Sequence, residues 1–356
     1  DAQGDATWEV TIPPWRPDVI GEADIAEELA RVYGYEELGS DISLSGNAPE
    51  GFTSLQMLRE DVRNSLVGFG LHEVITNSLV ERDSQHPLFP DARPVVLANP
   101  RSEDHVEMRR DLLPGILEVI KHNVRRQIED LRLFEIGVVQ RVESGRVMEE
   151  EWVVGAMTGA RMAENWNDPG ARTDWFDLQG LLSNLYSAID IDALRSVAVD
   201  NPALEGGTGC VLVSSDDVEM GFAGRLDEKT QKGFSLDDPV WIFGMKLDSL
   251  TGQLKGVGRY EGLPKHPASD RDISLILPAS TAMGEMMEMM REQKRVESVK
   301  LRDEYSGEQI PEDMKGALLG IRYRDKDNTL SDKDIEALHN KMVEVLANEF
   351  GARLRG

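Results

Sequence analysis

The sequence predicts an α+β protein, in which helices and strands mix around an antiparallel sheet and a smaller β-α-β-β-α-β unit of ferredoxin-like order follows. Three observations carry this reading. Strands recur between helices without the regular alternation that marks a parallel sheet. Flexible stretches at 39–52 and 251–258, rich in Gly, Ser and Pro or in Gly alone, separate the stretches of regular pattern. With 356 residues the chain is long enough for two or three domains.

Taken in order, 8–12 (WEVTI) reads as a strand stopped by Pro13-Pro14. A helix at 22–33 puts Ile25, Leu29 and Val32 on one face and Asp24, Glu27, Glu28 and Arg31 on the other, and Gly34 ends it. Thr53 caps a helix bearing Leu55, Leu58, Val62, Leu66 and Phe69. Strands at 72–80 and 94–98 precede a helix capped by Asp111, with Pro114 in its first turn. Strands at 131–141 and 152–158, a helix at 176–189 opened by Asp174, and strands at 210–214, 219–224 and 240–247 complete the middle of the chain. The last stretch alternates as a strand at 271–277, then runs into a helix opened by Thr281 with Met283, Met286, Met287 and Met290. Strands at 296–305 and 316–323 flank a turn at 307–311. Ser331 and Asp334 form a capping box for a helix with Ile335, Leu338, Met342, Val345 and Phe350, and a short strand at 352–355 ends the chain.

Composition excludes several classes. The net charge is −26, from 65 acidic and 39 basic residues. Residues 258–356 carry 16 Lys/Arg against 19 Asp/Glu, so nearly all of the excess lies before them. A polyanion is repelled by most of this surface and least by the last hundred residues. An acidic, salt-tolerant proteome would give the same imbalance. No apolar run approaches a membrane span. The single cysteine, Cys210, forbids an internal disulfide and fits a reducing cytoplasm. The six His residues are scattered, without zinc spacing. Residue 1 is Asp and no signal peptide follows, which reads as a piece of a longer or processed chain.

Few residue patterns suggest chemistry. Asp24, Glu27 and Glu28 stack on one helical face, and Asp18 can fold back toward them. Such a cluster suits Mg²⁺ with retained waters. By spacing alone it is equally a solvated acidic face in which Arg31 pairs with Glu27 and Glu28. Arg109 and Arg110 could clamp a phosphate, but Glu103, Asp104, Glu107 and Asp111 stand by to neutralise them, which favours a structural or interface role. His105 and His122 have no nucleophile motif nearby, Cys210 reads as a buried inert thiol, and the Met stripe as core. No phosphate loop of Walker or Rossmann type occurs. Arg271, Lys315, Arg322 and Arg324 are the basic candidates in the last domain, with Arg322 and Arg324 expected on one side of a strand and Tyr305 or Tyr323 available for stacking.

Three runs resemble one family in the expected order. TIPPWRPDVIGEADIAEELARVYGYEEL, NPRSEDHVEMRRDLLPGILEVIKHNVRR with LRLFEIG, and GRYEGLPKHPASDRDISLIL with DEYSGEQIP and TLSDKDI are similar to the phenylalanyl-tRNA synthetase β subunit of bacterial type. Asp270 stands where that family has a basic residue, Arg302 where it has an aromatic and Gly316 where it has Ser. The resemblance implies the C-terminal half of a β subunit. Residues 1–45 would be the second half of a small magnesium-sharing domain, 46–255 a catalytically silent class II synthetase-like core, and 258–356 a ferredoxin-fold anticodon-binding domain. It implies Mg²⁺ at Asp18, Asp24, Glu27 and Glu28, shared with an α subunit that also binds ATP. It implies tRNA(Phe) contact through the last domain, in a cytoplasmic (αβ)₂ ligase whose chemistry lies in α. The alternatives are a stand-alone RNA-binding or scaffold module derived from the synthetase, and a free-standing Mg²⁺ hydrolase, for which no nucleophile-positioning motif is present.

Overall fold

A computed structural model describes residues 9–39, 51–82, 84, 86–167, 170–256, 260, 262–307, 310–311 and 313–355. The chain divides into two units, Asp1–Gly51 and Phe52–Gly356.

In the first unit, helix α1 (Glu22–Tyr33) forms where the apolar spacing places it, and Gly34, at φ 104°, ends it. A 3-10 turn follows at Tyr35–Glu37. The strand expected at 8–12 does not form over 9–12: those residues pair with no strand among the described residues, and Val10 is exposed. A strand exists only through its ladder, so an apolar alternation without a partner stays irregular. Trp8 and residues 40–50 of the expected linker lie outside the described residues.

The second unit opens with α2 (Ser54–Gly68). Thr53 Oγ1 accepts from the Gln56 amide while Gln56 Oε1 accepts from the Thr53 amide, a reciprocal cap. Leu58, Val62 and Leu66 are its buried stripe. The single strand expected at 72–80 is broken into β1 (His72–Glu73) and β2 (Leu79–Val80). Glu135 accepts from both the amide and the hydroxyl of Thr76, drawing the chain out of the sheet between them. The strand expected at 94–98 reduces to isolated bridges, Arg93 to Val142 and Val96 to Glu107. Next come β3 (Glu107–Met108) and α3 (Leu113–Val124). Asp111 does accept from the Leu113 amide, although Leu112 occupies the cap position.

Strands β4 (Leu131–Glu143) and β5 (Arg146–Thr158) form one long hairpin. Both turn residues, Ser144 and Gly145, have positive φ, the geometry that matches strand twist. Then follow α4 (Trp175–Ala188) capped by Asp174, β6 (Arg195–Ala198), β7 (Cys210–Val213), β8 (Glu219–Arg225), α5 (Glu228–Gly233), β9 (Val240–Lys246) and α6 (Leu247–Thr251). Strand β6 and the short helices α5 and α6 were not expected.

These strands build a seven-stranded sheet in the order β1-β4-β5-β9-β8-β7-β6. Its neighbours run antiparallel except β1, which joins β4 in parallel, so the sheet is mixed rather than purely antiparallel. Apolar residues cover both faces. Phe134, Val153, Met157, Phe243 and Met245 pack against α2 and α4, whereas Leu133, Trp152, Val154, Ala156 and Ile242 pack against α3.

The final stretch has the expected order: β10 (Ser269–Pro278), α7 (Met283–Glu292), β11 (Val296–Tyr305), β12 (Met314–Tyr323), α8 (Asp332–Phe350) and β13 (Arg353–Leu354). The sheet order is β11-β12-β10-β13, antiparallel throughout. Ser331 and Asp334 form the capping box, and Ala282 rather than Thr281 precedes α7. Met286 and Met290 are fully buried and join Ile273, Leu275, Ala317, Leu319 and Ile321 in one core. Both helices pack on that face of the sheet.

Candidate functional site

In the acidic helix, position and role separate. Arg16 lies between Asp18 and Glu28, with Nη2 at 2.6 Å from one carboxylate and 2.5 Å from the other. Arg31 holds the second oxygen of Glu28 at 2.5 Å. Asp24 turns away and accepts from the Ile20 and Gly21 amides at 2.8 Å, satisfying donors that the helix start leaves open. Glu27 is exposed. The electrostatics follow these contacts. Arg16 first and Arg31 second hold the Glu28 carboxyl down at about 2. Arg16 lowers Asp18, and the Gly21 and Ile20 amides lower Asp24. Two of the four carboxylates are therefore gathered by an arginine, one caps the helix and one faces solvent. Among the described residues, no three His, Cys, Asp or Glu side chains converge to hold a metal ion. As arranged here, the four carboxylates do not fit a resident Mg²⁺.

The basic pair that follows β3 is structural. Arg109 is buried and its Nη1 lies 2.5 Å from Glu135, with further donation to the Val138 carbonyl and to Thr76. Gly137 leaves room for this guanidinium, because a Cβ there would collide with it. Arg110 donates to the Ala92 carbonyl at 2.8 Å. Neither guanidinium is held out for a phosphate. A cavity of about 1010 Å³ adjoins Arg109, with Glu81, His86, Asp111, Glu118, Lys121 and Arg125 in its wall. His86 and Asp111 are buried side by side at 3.6 Å, and burial raises the Asp111 carboxyl. His105 bonds Ser102, His122 is exposed, and burial pushes the Cys210 thiol up.

The C-terminal sheet divides its cations between two faces. On β10 and β12 the odd-numbered residues face the helices. Arg271 and Lys315 therefore lie on the helix side, where Arg271 pairs with Asp332 at 3.8 Å and Lys315 with Glu304 at 3.5 Å. Arg322 projects from the opposite, open face and pairs with Asp270 through two hydrogen bonds of 2.7 and 2.8 Å. That pairing lowers the Asp270 carboxyl. Arg324 does not share a strand face with Arg322 as expected. The strand ends at Tyr323, and Arg324 instead reaches Glu297 and the His266 carbonyl. Tyr323 is buried in the core, so of the two aromatics only Tyr305 is on the open face.

The four predicted basic residues are thus not brought together. Of the groups that share the open face with Arg322, sequence patterns named Tyr305 but not Lys300, Asp272, Ser274 or Arg353. Register places Lys300, Asp272, Ser274, Tyr305 and Arg353 on the open face. Arg302 lies over Gly320 and pairs with Asp272 at 3.1 Å. The Arg355 guanidinium lies 5.1 Å from the centre of the Tyr305 ring. Hydrogen bonds to Ser274 first and Arg355 second lower the Tyr305 hydroxyl.

Comparison with known proteins agrees along the whole chain. Residues 43–247 match the family model of the phenylalanyl tRNA synthetase beta chain CLM domain, 264–355 the ferredoxin-fold anticodon binding domain, and 1–35 the tRNA synthetase B5 domain. The phenylalanine–tRNA ligase beta subunit of Geobacillus kaustophilus (strain HTA426) is 31% identical over 99% of this chain and 44% of that protein. The beta subunit of Thermotoga maritima is 30% identical over 99% of this chain and 45% of its own length. The chain therefore spans less than half of the curated relatives it matches. A solved pyrrolysyl-tRNA synthetase from Desulfitobacterium hafniense superposes loosely, at TM-score 0.42 and 17% identity over 64% of this chain and 75% of that one. Among the described residues, no helix is long and apolar enough to cross a membrane.

Proposed function

This chain belongs to the phenylalanyl-tRNA synthetase beta-chain family, and on that premise we propose that it serves phenylalanine–tRNA ligase as a non-catalytic part of the β subunit. It assembles with an α subunit that binds ATP and phenylalanine, in an (αβ)₂ complex of the cytoplasm, and it anchors tRNA(Phe). We propose the division 1–45, 46–255 and 258–356 for the magnesium-sharing element, the class II synthetase-like core and the anticodon-binding domain. The observation that carries the RNA role is the open face of the C-terminal sheet. In a chain of net charge −26 it gathers Lys300, Arg302, Arg322 and Arg353 with the Tyr305–Arg355 pair. Cations position a phosphate backbone, while planar groups stack on unpaired bases.

The silent core is supported by the apolar packing on both faces of the seven-stranded sheet and by the internal pairing of Arg109. The stand-alone module is the weaker reading, because the similarity runs through 99% of the chain. The magnesium role is proposed only in shared form. A cation here would need oxygen ligands from a partner and would have to compete with Arg16 for Glu28. Calorimetry of association with the α subunit, with and without Mg²⁺, tests this on wild type and on Glu27→Gln/Glu28→Gln. The double variant should weaken assembly and abolish its Mg²⁺ dependence, and identical affinities in all four arms would refute the shared site. The function as a whole is tested by mixing this chain with α subunit and tRNA(Phe) in size-exclusion chromatography. Co-elution of protein and RNA is expected, and three separate peaks would reject it.

A further inference from the structure

We propose that the Arg302 guanidinium is a stacking surface for an unpaired RNA base, seated on Gly320 and held by Asp272 as a positioning residue. The proposal rests on the reading of this domain as an RNA anchor and names the residue that would meet a base there.

Arg302 falls in the bulge between Leu301 and Asp303 and turns onto the open face. A Cβ at Gly320 would come within 2.5 Å of Arg302 Nε and 3.2 Å of its central carbon, so only glycine lets the guanidinium lie against the backbone. Asp272 takes the Nε at 3.1 Å, and both side chains remain about half exposed, at 53% and 52%. A guanidinium whose in-plane donor is engaged and whose charge is balanced is a poorer phosphate ligand, but its flat face remains available to stack.

The neighbouring site repeats the construction. A Cβ at Gly316 would run into the Tyr305 ring, which therefore also lies over a glycine four residues away on the same strand face. The Arg355 guanidinium lies over that ring at 5.1 Å. Arg322 differs: Asp270 engages its Nε and Nη2 in a two-pronged pair, and no glycine is seated beneath it among the contacts of Gly316 and Gly320. The occupant that fits Arg302 is an unpaired base, with Lys300 on the same face to meet its phosphate.

The test is binding of the full chain to a fluorescein-labelled RNA hairpin with an unpaired loop, and to the same hairpin with abasic loop positions, followed by anisotropy. Arg302→Lys keeps the charge and removes the plane; Gly320→Ala dislodges the guanidinium. Each should weaken binding to the intact loop on the order of tenfold. Wild type and Arg302→Lys should bind the abasic hairpin alike. Arg302→Lys binding the intact loop as tightly as wild type overturns the stacking role. So does an equal loss on both hairpins, which would make Arg302 a phosphate contact. Failure of the wild type to bind either hairpin overturns the RNA-anchor reading together with the stacking role. A thermal melt of Arg302→Lys matching wild type shows that the fold is intact.

Discussion

Arg109 shows how far residue type alone can mislead about role. It stands in a run of basic residues that invites a phosphate, yet its guanidinium is spent on Glu135, Thr76 and the Val138 carbonyl. Removing one partner of a buried pair leaves the other charge uncompensated, at about 3–5 kcal/mol. Arg109→Ala should therefore lower unfolding free energy by about that amount in urea titration; a change near zero would mean that the site is hydrated. The acidic helix gives a pH prediction. Its neighbour Arg16 holds the Glu28 carboxyl at about 2, below its ordinary value. A depressed carboxylate pKa contributes stability that is full above the unfolded value and lost as pH falls through the folded one. Carboxyl chemical shifts should thus show Glu28 ionised well below pH 4, and a midpoint in the ordinary range would contradict the Arg16 contact. Helical spacing made the shared face of Asp24, Glu27 and Glu28 legible. The Arg16 contact was not, because a turn twelve residues away supplies it.

At the scale of elements, the signals that were read correctly are local. The reciprocal cap of Ser331 and Asp334 and the burial of Met286 and Met290 both follow from short-range patterns. Ser331→Ala should cost about 1 kcal/mol through the lost cap, read as a lowered melting temperature, and no change would show water replacing it. What escaped depends on partners distant in sequence. The break between β1 and β2 is made by Glu135, and β6 is a largely exposed edge strand without an apolar alternation. The bulge in β11 reverses which residues face the helices beyond Leu301, so simple alternation cannot place Arg302 or Tyr305. Close packing between strands adds a further test. Gly155 sits beneath Phe243, and a Cβ there would enter its ring. Gly155→Ala should destabilise by about 1–3 kcal/mol through overpacking, while an unchanged denaturation midpoint would mean that Phe243 repacks freely.

For the molecule as a whole, the C-terminal elements follow the sequence order β-α-β-β-α-β, with β11 and β12 paired as chain neighbours and β10 paired with β12 and β13 across the helical connections that this motif requires. The larger sheet was not legible in the same way. Its centre places β5 beside β9, a pairing that spans the helices α4 and α5 and three other strands. That pairing decides where a catalytic site could exist. A synthetase site needs an open concave face with unpaired cations aimed at phosphate. Here Phe89, Trp152 and Phe222 fill the α3 side, with ring centroids 5.6 and 6.2 Å apart in successive pairs. On the other side, Phe243 and Phe134 pack beneath α2 and α4. The cavity of about 1010 Å³ lies beside α3, and the arginine that borders it from the basic pair is committed to Glu135. Its wall sets Lys121 and Arg125 against Glu81 and Glu118, so charge there is balanced rather than focused. The purified chain should therefore show no phenylalanine-dependent exchange of pyrophosphate into ATP, and adding α subunit should restore it. Exchange above background by the isolated chain would require the apolar face to open, and an α subunit fully active without this chain would remove the need for its partnership.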